Sequence, residues 1–322
     1  MEAMKSRTFA LFALLSLLST VLGGSMVQAK VLEPSTPLNE PVQSSLLGRS
    51  LLVEEVTATW CPSCADIDPY LLGVADAHGS RIAMVAYHPS DGEDAFQPPA
   101  AQHRIDRLGL IHGTSIPTPT FMVEGENPRS GFEAWNDVQR DILDAEVLRQ
   151  DTTSLQFELQ QIGNTTSARV VSYASSHEQP QQTQLTFMVV QHDKLVPKGA
   201  INPGGATRDR VVVATAECVL NTSMIGVQHG LTSAHVQQGC TEDFSISFDN
   251  LEQFSVLLVH ESTVEAVSQG EASLGSHGVV ELAVRNRENP EANPSTTVLL
   301  VLAAGAGIAA ILPRKGTKEE KQ

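Results

Sequence analysis

The pattern of apolar and polar positions divides the chain into two unlike regions. Between residues 46 and 150, apolar runs of strand length alternate with stretches of helical periodicity. Leu51–Val56 and residues 82–88 fit buried strands, whereas residues 97–108 and 132–148 fit helices. This alternation predicts an α/β domain over residues 46–150.

The pattern changes beyond this point to many short apolar runs separated by Gly, Asn, Pro and Ser. The clearest runs are residues 184–190, 210–215, 244–248 and 254–259. Short strands at such spacing predict an all-β, sandwich-like domain over residues 151–285. The predicted fold class is therefore an α/β domain followed by an all-β domain.

Both ends of the chain carry apolar segments. Lys5 and Arg7 precede an apolar run, and small residues follow it, which predicts a secretory signal peptide over residues 1–29. An uncleaved anchor helix is the alternative interpretation. A second uncharged apolar run, residues 296–312, is at the short end of the length that a single transmembrane helix needs.

The tail 313–322 carries the basic residues Arg314, Lys315, Lys318 and Lys321, so it is expected in the cytoplasm and the folded body outside. The sequence thus predicts a single-pass protein of the cell membrane with its folded domains extracytoplasmic, although removal of the C-terminal helix by a sorting reaction stays open. Residues 30–45 are predicted as a flexible spacer and residues 286–295 as a charged stalk.

Composition agrees with a folded protein of this kind. The chain has 322 residues, of which 41% are hydrophobic, enough for two domains with sizeable cores. Its formal net charge of -16 argues against a nucleic-acid partner, because an acidic surface repels phosphate.

The candidate chemistry lies directly after the first predicted buried strand. Cys61 and Cys64, separated by Pro and Ser, open a predicted helix that runs to about residue 78. Unpaired N–H groups and the positive end of the helix dipole lower the pKa of a cysteine there, so Cys61 is the expected nucleophile. Cys64, one turn later, is the expected resolving thiol. The pattern predicts a redox-active disulfide with no other cofactor.

A zinc half-site is the alternative interpretation of Cys61 and Cys64. It requires two further ligands, and this domain has no second Cys-x-x-Cys and no nearby pair of histidines. The exported location also favours redox chemistry, so no metal is predicted. His88 ends a predicted strand and could approach the site, but a lone histidine there is more often a solvated or capped residue than a catalytic one.

Two motifs carry a family resemblance. Residues 54–64 read Glu-Glu-Val-Thr-Ala-Thr-Trp-Cys-Pro-Ser-Cys, and residues 116–125 read Ile-Pro-Thr-Pro-Thr-Phe-Met-Val-Glu-Gly. The first resembles the active-site strand and helix start of thioredoxin-like proteins, and the second resembles their cis-proline loop. The resemblance implies a thioredoxin-like domain over residues 46–150 and a thiol–disulfide oxidoreductase activity.

The resemblance also implies roles for individual residues. Pro119 would be the cis-proline beside the disulfide, with Pro117 as its competitor, and the backbone of Thr118 would pair with a substrate chain. Trp60 would contribute to substrate binding next to the first cysteine.

Glu55 stands where these proteins place a buried acid that accepts the proton of the resolving thiol. The alternative is a solvent-facing glutamate, and Glu54 must point to the opposite face of the strand.

Cys218 and Cys240 are expected to form a structural disulfide in an oxidising compartment. His229 and His235 lie between them, so a Cys-His-His-Cys zinc or copper site stays open, as does a relay pair that exchanges electrons with the first dithiol.

The whole arrangement is loosely similar to outer-membrane-associated proteins of the Omp28 type. The expected partners are thiols and disulfides of exported proteins, together with a membrane redox partner. Two other functions remain possible from the sequence: a non-catalytic surface binding protein on a thioredoxin-like scaffold, and a copper metallochaperone.

Overall fold

The computed structural model describes residues 30–46, 48–78, 81–149, 153–176 and 182–286. The predicted signal peptide, stalk, membrane helix and basic tail lie, apart from Asn286, outside these residues. No helix within the described ranges is long and apolar enough to cross a membrane. The chain forms a mixed α/β structure with one large sheet and few helices.

The strands, in chain order, are β1 (Lys30–Leu32), β2 (Val42–Gln43), β3 (Leu51–Val56), β4 (Ile82–Tyr87), β5 (Thr120–Val123), β6 (Glu126–Ser130), β7 (Thr153–Ile162), β8 (Thr165–Ser175), β9 (Thr183–Gln191), β10 (Lys194–Leu195), β11 (Thr207–Arg208), β12 (Val211–Val219), β13 (Met224–His229), β14 (Ser233–His235), β15 (Ser245–Asp249), β16 (Phe254–Ser262) and β17 (Ser276–Val284). The helices are α1 (Pro62–His78), α2 (Pro99–His112), α3 (Trp135–Leu148) and α4 (Val264–Ser268). A 3-10 turn, Phe132–Ala134, precedes α3.

Ten of the described strands form one sheet, in the order β1-β17-β16-β9-β12-β4-β3-β5-β6 with β13 beside β12. A five-stranded sheet, β14-β15-β8-β7-β2, and the small β10-β11 pair complete the fold. We call residues 46–149 the helical region and residues 153–285 the β-rich region. The large sheet crosses the boundary between them where β12 runs parallel to β4, with Val211 opposite Ala86.

The sheet has apolar cores on both faces, because successive side chains of a strand point to opposite sides. In the β-rich region, Phe187 faces the five-stranded sheet and packs against Phe157. The adjacent Met188 faces α2 and shares a core with Leu52 of the helical region. Each such buried side chain contributes about 1.5–3 kcal/mol relative to exposure. The two regions therefore share one core as well as one sheet.

A third core lies between the helical region's strands and the helices α1 and α3. It includes Val53, Ile67, Phe121 and Ile142. This core fixes α1, which carries the two cysteines, against the end of β3.

Residues 30–45 differ from the predicted flexible spacer. β1 pairs in parallel with β17, and β2 pairs with β7. Leu38 is 4% exposed and belongs to the core of the β-rich region. The strands β17 and β7 would otherwise present unpaired N–H and C=O groups at sheet edges, and the segment covers them. Strands of two or three residues are too short to leave a readable period in the sequence.

Candidate active site

Cys61 and Cys64 are joined by a disulfide at the start of α1, with a Cα–Cα distance of 5.3 Å. The backbone N–H of Cys64 donates to the Sγ of Cys61 at 3.1 Å, so this sulfur takes the place of an N-cap acceptor. Cys61 is 2% exposed and Cys64 is fully buried. Both cysteines are therefore buried in the disulfide form.

The loop before the disulfide is held by residues that follow β4. The N–H of Thr59 donates to Oδ2 of Asp94 at 2.7 Å, and the indole N–H of Trp60 donates to Oδ2 of Asp91 at 2.9 Å. Ala95 N–H donates in return to the hydroxyl of Thr59 at 2.9 Å. These bonds fix the backbone that leads into Cys61.

His88 contacts the same loop indirectly, through Asp94. The ring is buried, with its Nδ1 2.8 Å from Oδ2 of Asp94, and its Nε2 has no hydrogen-bond partner within the described ranges. Burial opposes the charge of Asp94, but the hydrogen bond and charge of His88 hold its pKa below the usual value. Of the two non-catalytic alternatives, solvated or capped, the structure excludes the solvated one, because the ring is buried against Asp94.

Pro119 is preceded by a cis peptide bond from Thr118, at the position the sequence favours over Pro117. The antiparallel register of β3 and β5 places Thr120 opposite Val56. The chain enters β5 from Pro119 at the same sheet edge where it leaves β3 toward Cys61. The topology thus brings Thr118, Pro119 and the cysteine loop to one edge of the sheet.

Glu55 is 5% exposed, which excludes the solvent-facing alternative. Its Oε1 has no hydrogen-bond partner among the described residues. Burial and then the carboxylate of Asp68 raise the pKa of Glu55 well above its ordinary value, whereas Arg208 lowers it. Asp68 lies four positions after Cys64 on α1, so both occupy one face of the helix. Glu55 is therefore an acid near Asp68 and the face of α1 that carries Cys64.

A cavity of about 90 Å³ lies beside Glu55. Its walls include the side chains of Thr57, Asp68, His88 and Arg208. The hydroxyl of Thr57, the Nε2 of His88 and the Oε1 of Glu55 are all buried without a hydrogen-bond partner in the part of the chain described. The cavity thus combines unpartnered polar groups with an otherwise partly apolar lining of Leu71, Met84 and Ala86.

The sequence did not indicate three residues of this site: Asp68, Asp94 and Arg208. Asp68 could have been found, because it follows Cys64 by one helical turn. Arg208 has no local signal, since 149 positions separate it from Thr59, the residue whose carbonyl it contacts.

On the opposite face of β3, Glu54 is buried and belongs to a network of charged residues. Its Oε1 accepts hydrogen bonds from Tyr87 Oη at 2.8 Å and from Arg104 Nη2 at 3.2 Å. Arg104 also contacts Glu261 of β16 through Nη1 at 2.7 Å. This network joins α2 and β3 to the β-rich region, so its role is structural.

The predicted pairing of Cys218 with Cys240 is present as a disulfide, with a Cα–Cα distance of 5.7 Å. Both sulfurs are used in this bond, and the ring of His229 lies against that of His103, with centroids 5.4 Å apart. Within the described ranges no cluster of three or more His, Cys, Asp or Glu side chains is arranged to hold a metal ion.

Comparison with known proteins places the chain in no family. No family model matches it, and no curated protein matches its sequence. Among solved structures, HBP35 of Porphyromonas gingivalis is similar with a TM-score of 0.49 and 15% identity, over 76% of this chain and 79% of that one. A structural-genomics crystal structure from Agrobacterium tumefaciens is similar with a TM-score of 0.45 and 12% identity, over 75% of this chain and 96% of that one.

Proposed function

We propose that the chain is a thiol–disulfide oxidoreductase that exchanges disulfides with exported proteins through Cys61 and Cys64. The supporting observation is the Cys61 sulfur in the N-cap position of α1, bonded to Cys64 and accompanied by the buried acid Glu55. After reduction, the N–H groups and dipole of α1 stabilise a Cys61 thiolate. We also propose, from the sequence, that residues 296–312 hold the protein at the cell membrane and that a membrane redox partner renews it.

In the reducing direction, the Cys61 thiolate attacks a substrate disulfide, forms a mixed disulfide and releases the first substrate thiolate. Cys64 then gives its proton to Glu55 and attacks Cys61 Sγ, which closes the intramolecular disulfide and releases the second thiolate. Both thiolates take protons from water, so two electrons pass from the protein dithiol to the substrate. In the oxidising direction the steps reverse, and Glu55 returns its proton to Cys64.

Replacement of Cys61 by Ser in the full chain tests this proposal. The wild type should accelerate the reduction of insulin by dithiothreitol, and Cys61→Ser should return the reaction to its uncatalysed rate. Cys64→Ser keeps the nucleophile without the resolving thiol, so it should accumulate a mixed disulfide with insulin, visible by mass spectrometry and lost on reduction.

The matched control removes the other disulfide. A protein carrying both Cys218→Ser and Cys240→Ser should keep its rate of insulin reduction wherever it remains folded. Equal activity of Cys61→Ser and wild type would contradict an oxidoreductase and favour a surface binding protein.

A further inference from the structure

A cation from the β-rich region lines the cavity beside Glu55. The side chain of Arg208, on β11, is 4% exposed and lies between the cysteine loop and α1. Its Nη2 donates to the carbonyl of Thr59 at 3.4 Å, and its Nε lies 3.3 Å from Oδ2 of Asp68. One guanidinium therefore contacts both segments that flank Cys61 and Cys64.

The turn before β11 fixes the position of Arg208. Asn202 Oδ1 accepts from Nη2 at 2.6 Å, and the carbonyls of Gly205 and Thr207 accept from Nη1 at 3.0 and 3.1 Å. A Cβ on Gly204 would lie 2.6 Å from Arg208 Nη2 and 3.0 Å from the Cβ of Ala65, so the turn packs closely on α1. The guanidinium is thus held in one orientation and is poorly screened by solvent.

Most of the charged side chains that line the cavity are paired with other groups. The titratable and charged side chains that line it are Glu55, Asp68, His88, Asp193, Arg208, Asp209 and Arg210. His88 is paired with Asp94, Arg210 with Asp209, and Asp193 accepts a hydrogen bond from Gln253. After burial, the largest influences on the pKa of Glu55 are Asp68, which raises it, and Arg208, which lowers it.

We propose that Arg208 is a positioning residue for the exchange reaction of Cys61 and Cys64, so that the helical and β-rich regions form one reaction site. The inference rests on the proposed function and adds a residue to it. Arg208 holds Asp68 through an ion pair and offsets part of the cost of charging Glu55 in the cavity. It thereby determines the pH range in which Glu55 can take the proton of Cys64.

Two substitutions with opposite charge effects test this role. Carbon-13 NMR of the oxidised full chain with labelled glutamate follows the titration of Glu55. The Glu55 signal is assigned as the one that is missing from the spectrum of Glu55→Gln. Arg208→Gln should move the midpoint to higher pH, and Asp68→Asn should move it to lower pH. Arg208→Lys keeps the charge and should restore most of the wild-type midpoint.

Turnover provides a second readout. At a pH below the wild-type midpoint, Arg208→Gln should slow the closing of the disulfide on the order of tenfold, with recovery at higher pH. Trp60 precedes Cys61, so tryptophan fluorescence can follow this step. Arg169→Gln is the control, because Arg169 pairs with Glu158 at the surface and its side chain is 52% exposed. It should leave both the midpoint and the rate unchanged.

The inference is overturned if Arg208→Gln folds and its Glu55 midpoint equals that of the wild type. It is also overturned if Arg208→Gln and Asp68→Asn shift the midpoint in the same direction. If Arg208→Gln does not fold, Asp68→Asn decides: a lower midpoint supports the inference and an unchanged one overturns it. The NMR titration needs no turnover. Failure of the oxidoreductase proposal would appear in the insulin assay alone, so the two failures are distinguishable.

Discussion

Glu54 and Glu55 are neighbours in β3, yet they meet different surroundings on the two faces of the sheet. Glu54 Oε1 accepts hydrogen bonds from Tyr87 and Arg104. Glu55 Oε1 has no such partner among the described residues, and the residue lines a cavity. Burial alone therefore does not decide the role of a carboxyl group. Its fixed partners decide whether it stabilises the fold or can exchange a proton.

The face with Glu54 joins the two regions. Arg104 binds Glu261 in a bidentate manner, at 2.7 and 3.1 Å, and Arg107 Nη2 donates to the carbonyl of Ser262 at 2.6 Å. Burial opposes the charge of Glu261, but Arg104 and Arg107 hold its pKa far below the ordinary value. This face connects α2 to β16, whereas on the other face Glu55 lines a cavity and its Oε1 has no hydrogen-bond partner among the described residues.

The largest expected effect on stability comes from disrupting the charged network around Glu54. Arg104→Met leaves Glu54 and Glu261 buried without their main counter-charge, and such a change costs about 3–5 kcal/mol. Denaturant unfolding of the full chain measures this free energy. The control is Arg140→Met, because Arg140 forms an exposed pair with Asp137 at 3.2 Å and its loss should cost less than about 1 kcal/mol. A similarly small loss for Arg104→Met would mean that the network is not structural.

Glu55→Gln should do the opposite: it should preserve the fold and impair the chemistry. Glutamine keeps the shape of the side chain and avoids burying a charge, so stability at neutral pH should be unchanged or increased. The closing of the disulfide should slow by about 10², the lower end of the effect of losing a general acid–base group. Stopped-flow tryptophan fluorescence measures this rate. A strong loss of stability without a change in rate would reverse the roles assigned to the two glutamates.

The pH dependence of stability separates the two faces further. Folding raises the pKa of Glu55. The stability that this carboxyl group contributes is therefore fully present below pH 4.5, its ordinary pKa, and is lost as the pH rises through the pKa in the folded state. Folding lowers the pKa of Glu261. The stability that this carboxylate contributes is therefore present above pH 4.5 and is lost as the pH falls through the pKa in the folded state. Glu55→Gln should remove the first slope of the unfolding free energy, and Glu261→Gln the second.

The sequence predicts the parts of this site that are local in the chain. A buried strand, a Cys-x-x-Cys at a helix start and an X-Pro bond before a short strand each leave a pattern within a few residues. The cysteine loop was predicted in this way, whereas Glu55 and Pro119 were expected from the resemblance to thioredoxin-like proteins. The strands 184–190 and 254–259 were found too, because their apolar runs are long.

The parts that were missed depend on long-range packing. The pairing of β12 with β4 rests on one register position, and the shared core depends on α2 covering strands from both regions. Neither leaves a local pattern, so the sequence suggested two separate domains where one sheet is continuous. Arg208 was missed for the same reason. An arginine on a two-residue strand leaves no local pattern that identifies Asp68 as its partner.

The smallest expected effect is a small shift of the Glu55 titration midpoint when Arg208 is displaced but kept. Gly204→Ala places a methyl group 2.6 Å from Arg208 Nη2 and 3.0 Å from the Cβ of Ala65, so the guanidinium must be displaced from its present position and the turn must shift slightly on α1. Its contact with Asp68 should weaken, and the Glu55 midpoint should move upward by less than in Arg208→Gln. Gly73→Ala in α1 is the control, because its added Cβ meets no atom within 4 Å and alanine favours a helix. Both variants should unfold within about 1 kcal/mol of wild type. A midpoint shift in Gly73→Ala, or none in Gly204→Ala when Arg208→Gln shows one, would place the influence of Arg208 on Glu55 outside its contact with Asp68.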